Sequence, residues 1–143
     1  MMEEVLTCPA CGKGNRTRAS TAGTPHCGAC SAPLPWLVEA ATAAQFAEVA
    51  ERSPLPVLVD FWAPWCGPCR MVAPTVLEAS VKFAGRLKVV KLNTDLAPDV
   101  SGRYGVQGIP TLVVLKNGAV ADRVTGALPA SQLHAWLERT LAR

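Results

Sequence analysis

Trp65-Cys66-Gly67-Pro68-Cys69 directly follows the apolar run Val57-Leu58-Val59-Asp60-Phe61-Trp62. The run predicts a buried strand and the residues after it predict a helix start, so two thiols fall at a strand-to-helix turn. Cysteines three residues apart share one helix face, and their sulfurs can meet. Pro68 suits the first helical turn, where its missing N–H would have no partner anyway. That turn also presents the positive end of the helix dipole, which favours a thiolate over a thiol. A dithiol that can close to a disulfide, with one sulfur activated, is a thiol–disulfide exchange centre. Half of a metal site, or two buried cysteines without chemistry, are the alternatives that spacing alone leaves open.

A chain of 143 residues has room for one domain and a small appendage. Half of its residues are hydrophobic and 17% are charged, which predicts a packed core. The formal charge of +3 is spread over single lysines and arginines, without the aromatic-plus-basic cluster of a nucleic-acid surface. No nucleic-acid partner is expected. The opening Met1-Met2-Glu3-Glu4-Val5-Leu6-Thr7-Cys8 lacks the basic start and apolar region of a secretory signal. No apolar stretch approaches the roughly 18 residues of a membrane helix, so no membrane association is expected. The expectation is a cytoplasmic monomer in a reducing environment, where cysteine patterns stand for metal or catalysis more often than for structural disulfides.

The other four cysteines, Cys8, Cys11, Cys27 and Cys30, read C-x2-C-x15-C-x2-C, the spacing of a four-thiolate zinc site. Cys11-Gly12 and Cys27-Gly28 put glycine where a tight backbone can turn amides toward sulfur. Residues 14–25 between the pairs are polar and show no hydrophobic periodicity. A segment of about 35 such residues cannot build its own core and needs a metal, disulfides or a partner. One structural Zn²⁺ would supply that constraint, its coordination filled by protein. Four thiolates and one Zn²⁺ lower the formal charge by two. Two structural disulfides are the competing reading, and His26 is a possible substitute ligand. Ser31-Ala32-Pro33-Leu34-Pro35 reads as a linker, which divides the chain into residues 1–35 and 36–143.

Beyond the linker the pattern predicts a strand at Trp36–Val38, a helix from Thr42 (as N-cap) to Arg52, and a strand at Pro56–Trp62. A helix over Gly67–Phe83, interrupted at Pro74, follows, then a strand at Leu87–Leu92 and a short helix at Pro98–Tyr104. Strands Thr111–Leu115 and Ala119–Val124 flank Lys116-Asn117-Gly118, where Asn-Gly marks a hairpin, and Pro129–Leu141 reads as a closing amphipathic helix. The fold class is therefore α/β, a central mixed sheet flanked by helices, with parallel strands early and an antiparallel edge.

Asp60 is the only charged residue in its predicted strand. Covered on both faces it would be desolvated, with a raised pKa suited to proton exchange; an Asp at a strand end facing water is the alternative. Lys91 interrupts the neighbouring strand and by itself reads equally as a snorkelling lysine.

In these residues the chain resembles a thioredoxin. Val59-Asp60-Phe61-Trp62-Ala63, Trp65-Cys66-Gly67-Pro68-Cys69, Arg70-Met71-Val72-Ala73-Pro74, Lys91-Leu92-Asn93-Thr94-Asp95, Tyr104-Gly105-Val106, Ile109-Pro110-Thr111 and Lys116-Asn117-Gly118 follow the family's order. With the four-cysteine segment, the whole resembles the zinc-containing second class of bacterial thioredoxins. The resemblance implies the thioredoxin fold with a small N-terminal zinc-binding segment. It also implies protein-disulfide reduction on disulfide-containing client proteins, with recharging by an NADPH-dependent thioredoxin reductase and no bound organic cofactor. It makes Cys66 the attacking thiolate, Cys69 the more buried resolving thiol, Asp60 the base and Lys91 the residue that tunes it. It implies a cis Pro110 opposite the cysteines, with Ile109 offering backbone to an extended substrate. Trp65, Gly67, Pro68 and Gly126 would complete the substrate surface, Gly105 and Gly108 would keep it low, and Trp62 would pack beside it. A disulfide oxidant or isomerase, and an interaction or chaperone module built on the zinc segment, are the competing functions.

Overall fold

The computed structural model describes residues 3–18 and 25–143. A five-stranded sheet has the order β3-β5-β4-β6-β7, formed by β3 (Leu37–Ala40), β4 (Val57–Trp62), β5 (Lys88–Asn93), β6 (Thr111–Lys116) and β7 (Ala119–Thr125). β3, β5 and β4 run parallel, and β6 and β7 are antiparallel additions, as the crossovers and the hairpin predict. β4 is central, which explains its nearly unbroken apolar sequence.

Each sheet face buries alternate residues. One face packs Val57, Val59, Phe61, Val90 and Leu92 against Phe46, Val49 and Val100 from flanking helices. The other packs Leu58, Val89, Leu112 and Val114 against Val72 and Val76 of α2 (Gly67–Lys82) and Leu133 and Leu137 of α4 (Ala130–Ala142). The short α3 (Pro98–Arg103) starts with proline in its first turn, as expected. Thr42 caps α1 (Ala43–Phe46) by accepting from the Gln45 amide at 3.1 Å.

Two local features differ from the pattern. The helix after Thr42 widens after Phe46 into a π-helical turn, Ala47–Glu51, which brings Val49 and Ala50 into the core. α2 runs unbroken through Pro74: that residue is exposed and forfeits one donor, while Cys69, Val72, Val76 and Ala79 bury the helix on both sides of it.

The N-terminal segment forms a hairpin, β1 (Glu3–Thr7) with β2 (Gly14–Arg18), where periodicity gave no strand. Residues 19–24 of the polar stretch between the cysteine pairs lie outside the described residues. β1 lies beside the edge strand β3. Leu6, Cys8, Cys27, Leu34 and Trp36 join the cluster that holds Phe46, Phe61 and Val90. Lys88 is buried here, its ammonium 4.5 Å from the centroid of the Trp36 ring.

At the β6–β7 turn Asn117 and Gly118 have φ of 52° and 79°, the pair of positive angles that Asn-Gly supplies in a tight hairpin. A Cβ on Gly118 would also stand 2.8 Å from the Glu51 carbonyl oxygen. Gly118→Ala is therefore expected to destabilise the chain by at least about 1–2 kcal/mol, read as a lower urea midpoint at unchanged m-value.

Candidate active site and four-sulfur cluster

β4 ends at Trp62 and α2 begins at Gly67, so the intervening turn is held by the sheet at one end and the helix at the other. Cys66 is the N-cap of α2. Its sulfur accepts from the Cys69 amide at 3.2 Å, the role a serine or aspartate oxygen ordinarily fills. Cys66 and Cys69 form a disulfide, with Cα atoms 5.3 Å apart. The expectation that Cys69 is the more covered meets a near tie: the residues are 4% and 3% exposed, both seated against Ala63, Trp62 and Ile109. An amide aimed at Cys66 Sγ and the helix dipole behind it favour negative charge on that sulfur once the bond is reduced.

Ile109-Pro110 is a cis peptide, and the Ile109 carbonyl oxygen lies 3.7 Å from Cys66 Sγ. Gly126, at φ 106°, donates its amide to the Pro110 carbonyl at 2.8 Å, which binds the end of β7 to this loop. Trp65, 67% exposed, and Ile109 line a cavity of about 340 Å³ with Thr94, Val106, Gln107 and Gly108. Gly67 and Pro68 are exposed beside the disulfide. Pattern reasoning missed what holds Trp65. Its Nε1 donates to the Asp95 carboxylate at 3.0 Å, a partner thirty residues away with no local signal.

Asp60 is 1% exposed, and neither carboxylate oxygen has a hydrogen-bond partner. Burial raises its pKa to about 6, against the opposing charge of Lys91, its register partner on β5. The water-facing alternative for Asp60 is therefore excluded. Lys91 is half-buried with its ammonium 4.7 Å from the centroid of the Trp62 ring.

At the other end of the chain the sulfurs of Cys8, Cys11, Cys27 and Cys30 lie within 4.8 Å of one another. Two contacts cross between the pairs, Cys8 to Cys30 and Cys11 to Cys27, each at 3.6 Å. Four sulfurs around a tetrahedral ion at its usual bond length would stand about 3.8 Å apart, so the donor set fits a thiolate-bound metal. Cys8 and Cys27 are buried, and Cys11 and Cys30 are exposed. Amides of Ala29 and Cys30 lower the Cys27 thiol to about 6. The Ala32 amide pulls Cys30 down, but hydrogen bonds with Cys8, burial and its other sulfur neighbours outweigh it and push that thiol to about 12. Asn15 braces the loop, accepting from the Gly28 amide at 2.9 Å and donating to Cys27 Sγ at 3.5 Å. His26 is exposed and outside this cluster.

Residues 37–139 match the thioredoxin family model. A thioredoxin of Synechocystis sp. is 55% identical over 98 residues, covering 68% of this chain and 92% of the relative. Thioredoxin 1 of Nostoc sp. is 51% identical over 100 residues, covering 70% and 94%. A thioredoxin of Haemophilus influenzae is 49% identical over 90 residues, covering 63% and 84%.

The buried carboxylate carries a testable cost. A folded-state pKa near 6 against an ordinary 3.8 means that the folded chain holds the Asp60 proton more tightly than the unfolded one. The group's favourable contribution is complete below about pH 4 and is lost as pH rises through 6. Asp60→Asn should be more stable than the parent by about 2–3 kcal/mol at pH 8, with the difference shrinking below pH 6. Urea denaturation of the oxidised proteins at several pH values reads this, and an advantage independent of pH would contradict it.

Proposed function

The chain belongs to the thioredoxin family and is a thiol–disulfide oxidoreductase, and from that premise we propose that it is a cytosolic protein-disulfide reductase, recharged by an NADPH-dependent thioredoxin reductase, with a structural zinc site. The observation that carries the reading is the Cys66–Cys69 disulfide at the α2 N-terminus, with Cys66 Sγ as the acceptor of the Cys69 amide.

In the reduced protein Cys66 thiolate attacks one sulfur of a client disulfide. A Cys66–client bond forms, the client disulfide breaks, and the departing client sulfur takes a proton. Asp60, as the carboxylate, accepts the Cys69 proton. Cys69 sulfur then attacks Cys66 Sγ, the mixed disulfide breaks, and the second client sulfur leaves as a thiolate that takes up the proton held by Asp60. The client has gained two electrons and two protons, and Cys66–Cys69 is oxidised. Burial raises the Asp60 pKa to about 6 and the Lys91 charge opposes that rise, which suits proton exchange near neutral pH. The groove between Trp65 and Ile109 suits an extended client segment, and Trp65, Gly67, Pro68, Ile109, Pro110 and Gly126 are the proposed contact surface.

The four cysteines would hold one Zn²⁺, which supplies cross-linking of the N-terminal segment and no redox chemistry. Burial of Cys8 and Cys27 in the cluster that contains Phe46 and Val90 supports a structural role.

Cys66→Ser and Cys69→Ser should each lower the reduction of a disulfide substrate such as insulin by on the order of 10³-fold or more; a double variant that loses this reduction but keeps full biological activity would favour the interaction-module reading. The reduced, desalted protein should contain one zinc per chain and two readily titrated thiols. Chelation should lower Tm by about 5 °C or more, since the metal's binding energy is folding energy for a segment that shares the core. Six reactive thiols and an unchanged Tm would remove the structural-zinc reading.

A further inference from the structure

Lys91 faces two carboxylates. On β5 it is the register partner of Asp60 on β4 at one side and of Glu39 on β3 at the other. Register partners on neighbouring parallel strands project to the same face, so Glu39, Lys91 and Asp60 form one row across three strands, ending at Leu112 on β6. Val38 and Ala40, to either side of Glu39, enter the opposite core, which fixes Glu39 on this face. Exposure falls along the row: Glu39 is exposed, Lys91 half-buried and Asp60 buried.

Glu39, Lys91 and Trp62 line one cavity of about 150 Å³, together with Asn93 and Leu96. Among the described residues the Lys91 ammonium makes no ion pair with either carboxylate. It rests instead on the Trp62 ring, between the two. A lysine on a flexible four-carbon stem in that position can be drawn toward either charge. The other packed elements add little that competes. From α2 come the Cys69 sulfur and the exposed Arg70, which lines a neighbouring cavity with Lys91. α4 contributes Leu133, Trp136 and Leu137, with His134 against Phe83, and Asp95 is engaged by Trp65.

We propose that Glu39 is a positioning residue whose carboxylate competes with Asp60 for the Lys91 ammonium, and so sets how strongly Lys91 favours ionised Asp60. This rests on Asp60 acting as the base of the exchange reaction. Because Glu39 is at the surface and Asp60 is not, a charge change at an accessible strand edge reaches the buried acid through one mobile cation.

The test is the titration of the Asp60 side-chain carboxyl carbon by NMR in the reduced, metal-loaded full chain. E39Q should lower the midpoint by about half a pH unit, in keeping with a partly exposed charge pair, and E39K should lower it further. E39D should restore the parent value. K91M should raise the midpoint, and E39Q in the K91M background should shift it much less than in the parent. A midpoint unmoved by E39Q, or an equal shift with and without Lys91, overturns the proposal. The rate of mixed-disulfide resolution against pH should move with the midpoint in E39Q. If Asp60→Asn keeps the parent pH profile while the Glu39 variants still move the Asp60 midpoint, the base assignment fails and the charge coupling stands.

Discussion

The first turn of α2 needs an acceptor for its orphan amides, and the atom that supplies it is the sulfur of Cys66, the proposed nucleophile. This one substitution of sulfur for a capping oxygen ties the fold to the chemistry. The amide and dipole that would stabilise any cap here stabilise a thiolate. Pro68 removes one of the first-turn amides that would otherwise need an acceptor, since proline brings no N–H. The cap can work only where β4 delivers it, at the end of a strand locked between β5 and β6.

The same strand carries the acid. Asp60 lies on the face of β4 that α2 covers, so the sheet that fixes the dithiol also removes water from the carboxylate. An ionised carboxylate with no hydrogen-bond partner is a standing cost to the fold at neutral pH. A core optimised for stability alone would place an apolar residue there, as it does at Leu58 two positions earlier. Lys91 offsets part of the cost without forming a close pair. A direct ion pair would hold Asp60 permanently ionised, whereas an ammonium resting on Trp62 leaves it free to exchange a proton.

What could be read from the sequence follows from how local each signal is. β4, β5, β6 and α4 announce themselves by apolar runs or helical periodicity, and Asn117-Gly118 by the backbone angles it alone adopts readily. Cys66, Cys69 and Asp60 were legible because a thiol pair and a lone charge break an otherwise apolar pattern. The β1–β2 hairpin was not legible: Gly14-Asn15-Arg16-Thr17-Arg18 has little strand preference, and its pairing with β1 is completed by a turn in which the Cys8 amide donates to the Lys13 carbonyl at 2.9 Å. The π-helical turn was hidden because Ala47-Glu48-Val49-Ala50-Glu51 fits an ordinary helix equally well, and only burial against the sheet selects the wider winding. The Trp65–Asp95 bond and the Glu39–Lys91–Asp60 row are invisible for a third reason. They depend on which strands are neighbours and in what register, and a single sequence does not state this.

Two sets of sulfurs in one short chain must avoid each other's chemistry, and their geometry explains how. The active pair is isolated and adjacent, so its only intramolecular outcome is its own disulfide. In the N-terminal set two 3.6 Å contacts join sulfurs of different pairs, and bridging there would link the two knuckles crosswise. Each bridge would draw its sulfurs in by about 1.5 Å and leave the backbone amides around Cys27 without the charge they point toward. A cation at the centre would ask for smaller shifts, since the sulfurs already lie within 4.8 Å of one another, and would satisfy all four together. Under the zinc reading, the metal therefore protects the hairpin from the exchange reaction that the rest of the chain performs. It does so by giving those sulfurs a better partner than one another.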